Sequence, residues 1–117
     1  MLQELGTLLA SAGSELAKKS VGWASDKFKE FTETARGLEQ HKRRIKSARV
    51  TSTIYAELHA FRNFFLEHGL AEKNQENQRF FHKWLSDPVI ERGWTPSGGW
   101  TAARVADLHQ HLEKVKV

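Results

Sequence analysis

The chain has 117 residues, a net charge of +4 and no cysteine, so it can build one hydrophobic core but no disulfide bond, thiolate metal site or cysteine nucleophile. Its first residues include Gln3 and Glu4 where a signal peptide is basic, and the uncharged run from Leu5 to Ser14 is too short to cross a bilayer. We therefore expect a cytoplasmic protein. The excess positive charge lies in residues 1–50, which hold ten Lys and Arg against six acids.

The first third of the chain carries one apolar stripe whose members follow each other at three or four residues. This spacing predicts a long amphipathic helix over residues 1–40, with a stripe roughly 55 Å long. The stripe consists of Leu2, Leu5, Leu9, Ala12, Leu16, Ser20, Ala24, Phe28, Phe31, Ala35 and Leu38. Gly22 is where this helix would break most readily, although the apolar phase continues through Gly22 and favours one long helix. A compact domain of this length has a radius of gyration of about 13 Å, so part of the stripe must fold back, self-associate or bind a partner.

Residues 41–50 follow as a predicted basic connector. The stretch 41–49 has five fixed positive charges and no acid, which favours binding to the phosphates of DNA or RNA. The candidate nucleic-acid contacts are Lys42, Arg43, Arg44, Lys46 and Arg49. The alternatives are a solvated link between two helices and a contact for an acidic protein or lipid surface.

Residues 51–117 are predicted to form a compact helical core. The predicted helix caps are Thr51 or Ser52, Asn74, Asp87 before Pro88, and Thr101, and Gly69 is expected to end the first of these helices after His68. The apolar residues at helical spacing are Ile54, Leu58, Phe61, Phe65, Phe80, Phe81, Trp84, Leu85, Val105, Leu108, Leu112 and Val115. Because no longer segment alternates apolar and polar residues, the sequence predicts an all-α fold, a small helical bundle.

Two tryptophans bracket the glycine-rich loop of residues 93–100. Trp94 and Trp100 either cover the core or present a flat face to a nucleic-acid base or a partner side chain. The sequence alone leaves both interpretations open, with the covering role favoured because large apolar rings are seldom left in water.

Residues 62–68, with the sequence RNFFLEH, contain the pattern with a catalytic interpretation. An Arg, a polar residue, a short spacer and a His resemble the signature of HEPN-type ribonucleases, which are small all-helical domains acting as dimers. The resemblance implies that Arg62 stabilises phosphate charge, that His68 moves the proton of the attacking ribose hydroxyl, and that Asn63 orients them. The alternative is that His68 is packed against apolar neighbours or serves as a cation at a helix C-terminus.

The last helix has two pairs of side chains at the spacing of metal ligands. Asp107 with His111, and His109 with Glu113, are each four residues apart, but each pair supplies two ligands where a stable site needs more. We therefore expect neither a metal nor another cofactor, and we interpret the pairs as solvated polar positions.

Together these patterns indicate a non-enzymatic interaction protein. Its N-terminal helix would form a homo-oligomer or dock on a partner protein, through the association residues Leu5, Leu9, Leu16, Phe28 and Phe31. The ribonuclease is the first alternative, and a peripheral membrane protein is the second. The polar side of the N-terminal helix mixes acidic and basic residues, which disfavours a membrane surface.

Overall fold

A computed structural model describes residues 14–93 and 99–117, with the side chains of residues 26–93 and 99–117. The described residues form five α-helices: α1 (Ser14–Ser47), α2 (Thr51–His68), α3 (Gln75–Phe80), α4 (Pro88–Arg92) and α5 (Ala102–Leu112). A 3₁₀ turn at Leu70–Glu72 precedes α3, and a π-helical turn at Phe81–Leu85 follows it. No strand occurs in these two ranges, so the predicted all-α class is confirmed.

Helix α1 is continuous through Gly22 and extends further than predicted. It ends at Ser47, so most of the basic stretch interpreted as a connector is helix. The reason is that the apolar stripe continues beyond Leu38. Ile45 lies two helical turns after Leu38, on the same face of α1, and is only 1% exposed. Its burial stabilises the last turns of α1 despite the density of positive charge there.

The chain divides into two units between Glu33 and Thr34. In the described part of the N-terminal unit, residues 14–33 are helical. Phe28 is 72% exposed and Phe31 is 55% exposed. The C-terminal unit, residues 34–117, contains the hydrophobic core.

The core of the C-terminal unit is built on the aromatic rings of α2. Phe61 contacts Phe65 edge to face, with 4.9 Å between ring centroids, and contacts Phe80 in the same way at 5.7 Å. Such edge-to-face pairs add about 0.5–1.5 kcal/mol beyond the burial of their surface. The prediction that Phe61, Phe65 and Phe80 belong to the core is therefore confirmed. The buried apolar residues are Leu38, Ile45, Ala48, Ile54, Tyr55, Leu58, Phe61, Phe65, Leu70, Phe80, Trp84, Leu85, Ile90, Leu108, Leu112 and Val115.

Three of the predicted caps are confirmed. The side chains of Asn74, Asp87 and Thr101 accept hydrogen bonds from the backbone N–H groups of the first turns of α3, α4 and α5, at 2.8, 2.9 and 3.1 Å. Gly69 ends α2 with a φ of 58°, the left-handed conformation that glycine adopts without strain.

The cap predicted for α2 is wrong. Val50 occupies the cap position and no side chain caps the helix there. The Thr51 hydroxyl instead accepts a hydrogen bond from the backbone N–H of Trp100 at 3.4 Å. Thr51 thus links the start of α2 to the segment before α5.

Trp100 lies against the core, as the covering interpretation predicts. Its ring stacks on Trp84 with 5.8 Å between centroids and meets Tyr55 edge to face at 5.7 Å. The Arg104 guanidinium lies 4.1 Å from the Trp100 ring centroid, within cation–π range. Trp94 lies outside the described residues.

Candidate functional site

The five cations of the basic stretch do not all lie at the surface. Successive residues of a helix point about 100° apart, so a continuous run of charges must wrap around α1. Lys42 lies on the buried face and is only 7% exposed, whereas Arg43 and Arg44 are exposed. The charge pattern of the sequence does not distinguish the five cations, whereas the helix gives them different exposure.

Lys42 is anchored inside the C-terminal unit. Its Nζ donates a hydrogen bond of 2.6 Å to the backbone carbonyl of Val115 and lies 3.8 Å from the Glu39 carboxylate. Burial lowers the pKa of Lys42 below its ordinary value of 10.5, and the Glu39 carboxylate partly opposes this effect. Lys42 therefore does not fit the predicted contact with nucleic acid, because its charge is used to hold the segment after α5.

Two other cations of the stretch have partners but stay at the surface. Lys46 forms an ion pair with Glu113, and its side chain is 41% exposed. Arg49 donates a hydrogen bond of 2.8 Å to the carbonyl of Lys46. Burial lowers the pKa of His109, and Lys46 and Arg49 lower it further. Arg43, Arg44, Lys46 and Arg49 are called the basic surface below.

The predicted association residues are described in part. Leu5 and Leu9 lie outside the described residues, and Leu16 lies in α1 with its side chain outside them. Phe28 and Phe31 are one helical turn apart and are both exposed. We call these two residues the aromatic pair.

The residues of the ribonuclease pattern have separate surroundings within one chain. Nη2 of Arg62 lies 3.6 Å from the Glu91 carboxylate, whereas the His68 ring lies against Phe64 with 4.5 Å between centroids. Six residues on a regular helix correspond to a difference in direction of about 120°, which agrees with these different neighbours. The catalytic prediction would thus need His68 from one chain and Arg62 from another.

The structure gives Asn63 a neighbour that the sequence pattern missed. Its Nδ2 lies 3.4 Å from Nε2 of His59, one helical turn earlier. Nδ1 of His59 lies 2.7 Å from the carbonyl oxygen of Ile90. A carbonyl only accepts, so Nδ1 must donate, and the His59 ring joins α2 to α4. The sequence does indicate that Asn63 and His59 can meet, because residues four positions apart on a helix lie on the same face.

Of the two predicted polar pairs of α5, Asp107 and His111 contact each other, whereas Glu113 of the other pair forms its ion pair with Lys46. His111 Nδ1 donates to the carbonyl of Asp107 at 2.8 Å, and the Asp107 carboxylate also lies 3.1 Å from Nζ of Lys83. Among the residues that the structure describes, no three His, Asp or Glu side chains come together as a metal site.

These features define an all-α protein with a basic surface at the end of α1 and just after it, and an aromatic pair in its N-terminal unit. Comparisons with known protein families, curated proteins and solved structures find no match to the chain. In the two described ranges, no helix has both the length and the apolar character that crossing a membrane requires.

Proposed function

We propose that the protein is a non-enzymatic interaction protein that self-associates through its N-terminal helix and acts in the cytoplasm. The observation that carries this proposal is the exposure of Phe28 and Phe31 on adjacent turns of α1. Burial of a phenylalanine side chain is favourable by about 1.5–3 kcal/mol, and buried aromatic side chains are typical centres of interfaces.

A second copy of the chain is the occupant that we favour. The aromatic pair belongs to the stripe that includes Leu5, Leu9 and Leu16, so an identical helix offers an equally long apolar surface. Lys27 and Glu30 lie beside the aromatic pair, 4.0 Å apart. Each helix therefore carries a positive and a negative side chain beside the aromatic pair. In a dimer, Lys27 of one copy can lie near Glu30 of the other. Docking on a different protein is the alternative.

Size-exclusion chromatography with light scattering tests the proposal. The wild type should have a mass above the monomer at low and high salt, because apolar association is not screened. The double variant Phe28→Glu/Phe31→Glu should be monomeric, with unchanged helical circular dichroism. Leu66→Glu is the matched control, since Leu66 is an apolar residue of α2 with 54% exposure. A monomeric wild type, or an oligomer that survives the double substitution, would overturn self-association through this pair.

Nucleic-acid binding through the basic surface is a second proposed function. Arg43, Arg44 and Arg49 are exposed cations close together in the chain, and exposed cations can contact a phosphate backbone. The purified protein should then carry excess absorbance at 260 nm that high salt removes, since phosphate contacts are weakened by salt.

The HEPN-like ribonuclease stays a prediction that the same preparation can test. Under that mechanism His68→Ala abolishes RNA cleavage while the helical circular dichroism is retained. Cleavage that survives His68→Ala excludes His68 as the group that moves the proton, and absence of cleavage by the wild type supports the non-enzymatic interpretation.

A further inference from the structure

An open cleft of about 640 Å³ lies in the C-terminal unit between α3, the π-helical turn and the end of α5. Small-molecule sites commonly have volumes of about 300–1,000 Å³. Nine residues line the cleft: Gln75, Glu76, Gln78, Arg79, Phe80, His82, Lys83, His111 and Lys114. None of them was a candidate nucleic-acid contact in the sequence analysis.

The lining of the cleft is rich in groups that donate hydrogen bonds to anions. It has three fixed cations against the single carboxylate of Glu76, together with two imidazoles and two side-chain amides. Nη1 of Arg79 lies 3.7 Å from the Glu76 carboxylate, beyond hydrogen-bond distance, and the Arg79 side chain is 69% exposed. Its planar guanidinium is therefore available for two parallel hydrogen bonds to an oxyanion.

Two other lining groups are held in position by Asp107. Lys83 Nζ donates to the Asp107 carboxylate at 3.1 Å and lies 5.2 Å from the Trp84 ring centroid. His111 donates from Nδ1 to the Asp107 carbonyl, so Nε2 of the neutral ring is an acceptor and adds no donor for an anion. Lys83 uses one of three ammonium protons in this pair, and the others can meet a ligand.

The backbone beside the cleft has an uncommon conformation. His82 and Lys83 belong to the π-helical turn, and such turns occur frequently at functional sites. The Ser86 hydroxyl donates to the carbonyl of His82, which satisfies a backbone group in this region of irregular helix. The concave surface, the cationic lining and the irregular backbone thus coincide at one place.

We infer that this cleft binds the phosphate group of a small phosphorylated molecule. Arg79, Lys83 and Lys114 supply the charge, and the amides of Gln75 and Gln78 supply neutral donors. The inference is independent of self-association through the aromatic pair, because every residue involved belongs to the C-terminal unit.

Nuclear magnetic resonance of the full-length ¹⁵N-labelled protein tests the inference. Inorganic phosphate and pyrophosphate are titrated at constant ionic strength, with sodium chloride as the reference. Saturable shifts should be confined to the amides of residues 75–83 and 111–114, and pyrophosphate should bind more tightly because it carries more charge. Shifts that do not saturate, or that spread over the basic surface, would overturn the inference.

Three variants separate binding in the cleft from a general charge effect. Arg79→Ala should weaken pyrophosphate binding by about fivefold, because it removes a charge-assisted donor. Glu76→Gln should tighten binding by about twofold, because it removes the one carboxylate of the lining. Lys73→Ala is the matched control, since it removes an exposed cation outside the lining and should leave the affinity unchanged. Equal losses in Arg79→Ala and Lys73→Ala, or no gain in Glu76→Gln, contradict the inference.

A short single-stranded oligonucleotide provides the last arm of the experiment. If it shifts the cleft amides and neither phosphate nor pyrophosphate does, the small phosphorylated ligand is excluded in favour of nucleic acid. If the oligonucleotide shifts the basic surface alone while pyrophosphate shifts the cleft, the two sites are separate and the inference stands.

Discussion

The side chain of Asn77 pairs with both backbone polar groups of Lys116. Its Nδ2 donates to the Lys116 carbonyl at 2.6 Å, and the Lys116 N–H donates to its Oδ1 at 3.0 Å. The Asn77 amide also donates to the carbonyl of Leu70 at 3.0 Å. Because Asn77 is fully buried, these bonds are made where water cannot substitute for them, and they join the segment after α5 to the turn after α2.

Asn77→Ala should destabilise the fold strongly. The substitution removes both hydrogen bonds to the Lys116 backbone and one of the two that the Leu70 carbonyl accepts, the other coming from the Lys73 N–H. Each buried group left unpaired costs about 1–3 kcal/mol. Relaxation of the end of the chain recovers part of this, so we expect the free energy of unfolding in urea to fall by about 2–4 kcal/mol. Asn63→Ala, at an exposed position of α2, should cost about 0.5 kcal/mol or less. A cost below about 1 kcal/mol for Asn77→Ala would show that these bonds contribute little.

Gly37→Ala should also destabilise the protein, although alanine is the better helix former by about 1 kcal/mol. A Cβ atom at position 37 would lie 2.8 Å from Cε1 of the Phe64 ring. That ring is confined by His41 and His68, at centroid distances of 4.7 and 4.5 Å. Overpacking costs about 1–3 kcal/mol, so we expect a net loss of about 1 kcal/mol in thermal or urea unfolding.

A double variant checks that contact with Phe64 is the cause. In a Phe64→Leu background the side chain at position 64 is smaller, and Gly37→Ala should cost less than in the wild type or be stabilising. An equal cost in both backgrounds would mean that the Phe64 ring is not the obstacle.

How far the sequence determines this fold can be argued from these same residues. The caps at Asn74, Asp87 and Thr101 were predictable because each depends on neighbours two or three residues away. The cost of a side chain at Gly37 cannot be predicted from the sequence, because the ring of Phe64 that it would meet is distant in the chain. Thr51 is a residue type that often caps helices, but its hydroxyl accepts a hydrogen bond from the Trp100 N–H instead. This contact depends on tertiary packing and has no local signal in the sequence.

The same limit applies to the candidate sites. Charge density pointed to residues 41–49, but only the three-dimensional structure separates Lys42 from Arg43 and Arg44. The cleft could not be predicted from the sequence, because Lys114 is more than thirty positions from Arg79 and no local pattern joins them.

Stability should decrease on mild acidification. Burial lowers the pKa of His41 below its ordinary value of 6.5, and the Arg44 guanidinium lowers it further. Between the lowered pKa and 6.5 the unfolded chain binds a proton that the folded chain does not, so the free energy of unfolding falls as the pH falls through this window. His109 acts in the same direction.

Urea denaturation from about pH 7 to about pH 5 measures this dependence. His41→Leu removes the titrating group and keeps an apolar contact with Phe61 and Phe64, so its stability should decline less over the same interval. The double variant His41→Leu/His109→Leu should decline less again. A wild type and a His41→Leu variant with parallel pH profiles would contradict the assignment.

If the basic surface binds nucleic acid, its exposed cations should behave differently from the buried Lys42. Anisotropy of a labelled single-stranded oligonucleotide gives the affinity as a function of salt. Arg43→Ala/Arg44→Ala should weaken binding and reduce the magnitude of the slope of log K against log salt by about 0.7 for each phosphate that the variant no longer neutralises. Lys42→Met should leave the slope unchanged, because the Lys42 ammonium is buried against the Val115 carbonyl. Circular dichroism verifies that Lys42→Met is folded, and Lys73→Ala controls for the removal of a surface charge. A slope that changes as much in Lys42→Met as in the double variant would mean that binding follows net charge rather than this surface.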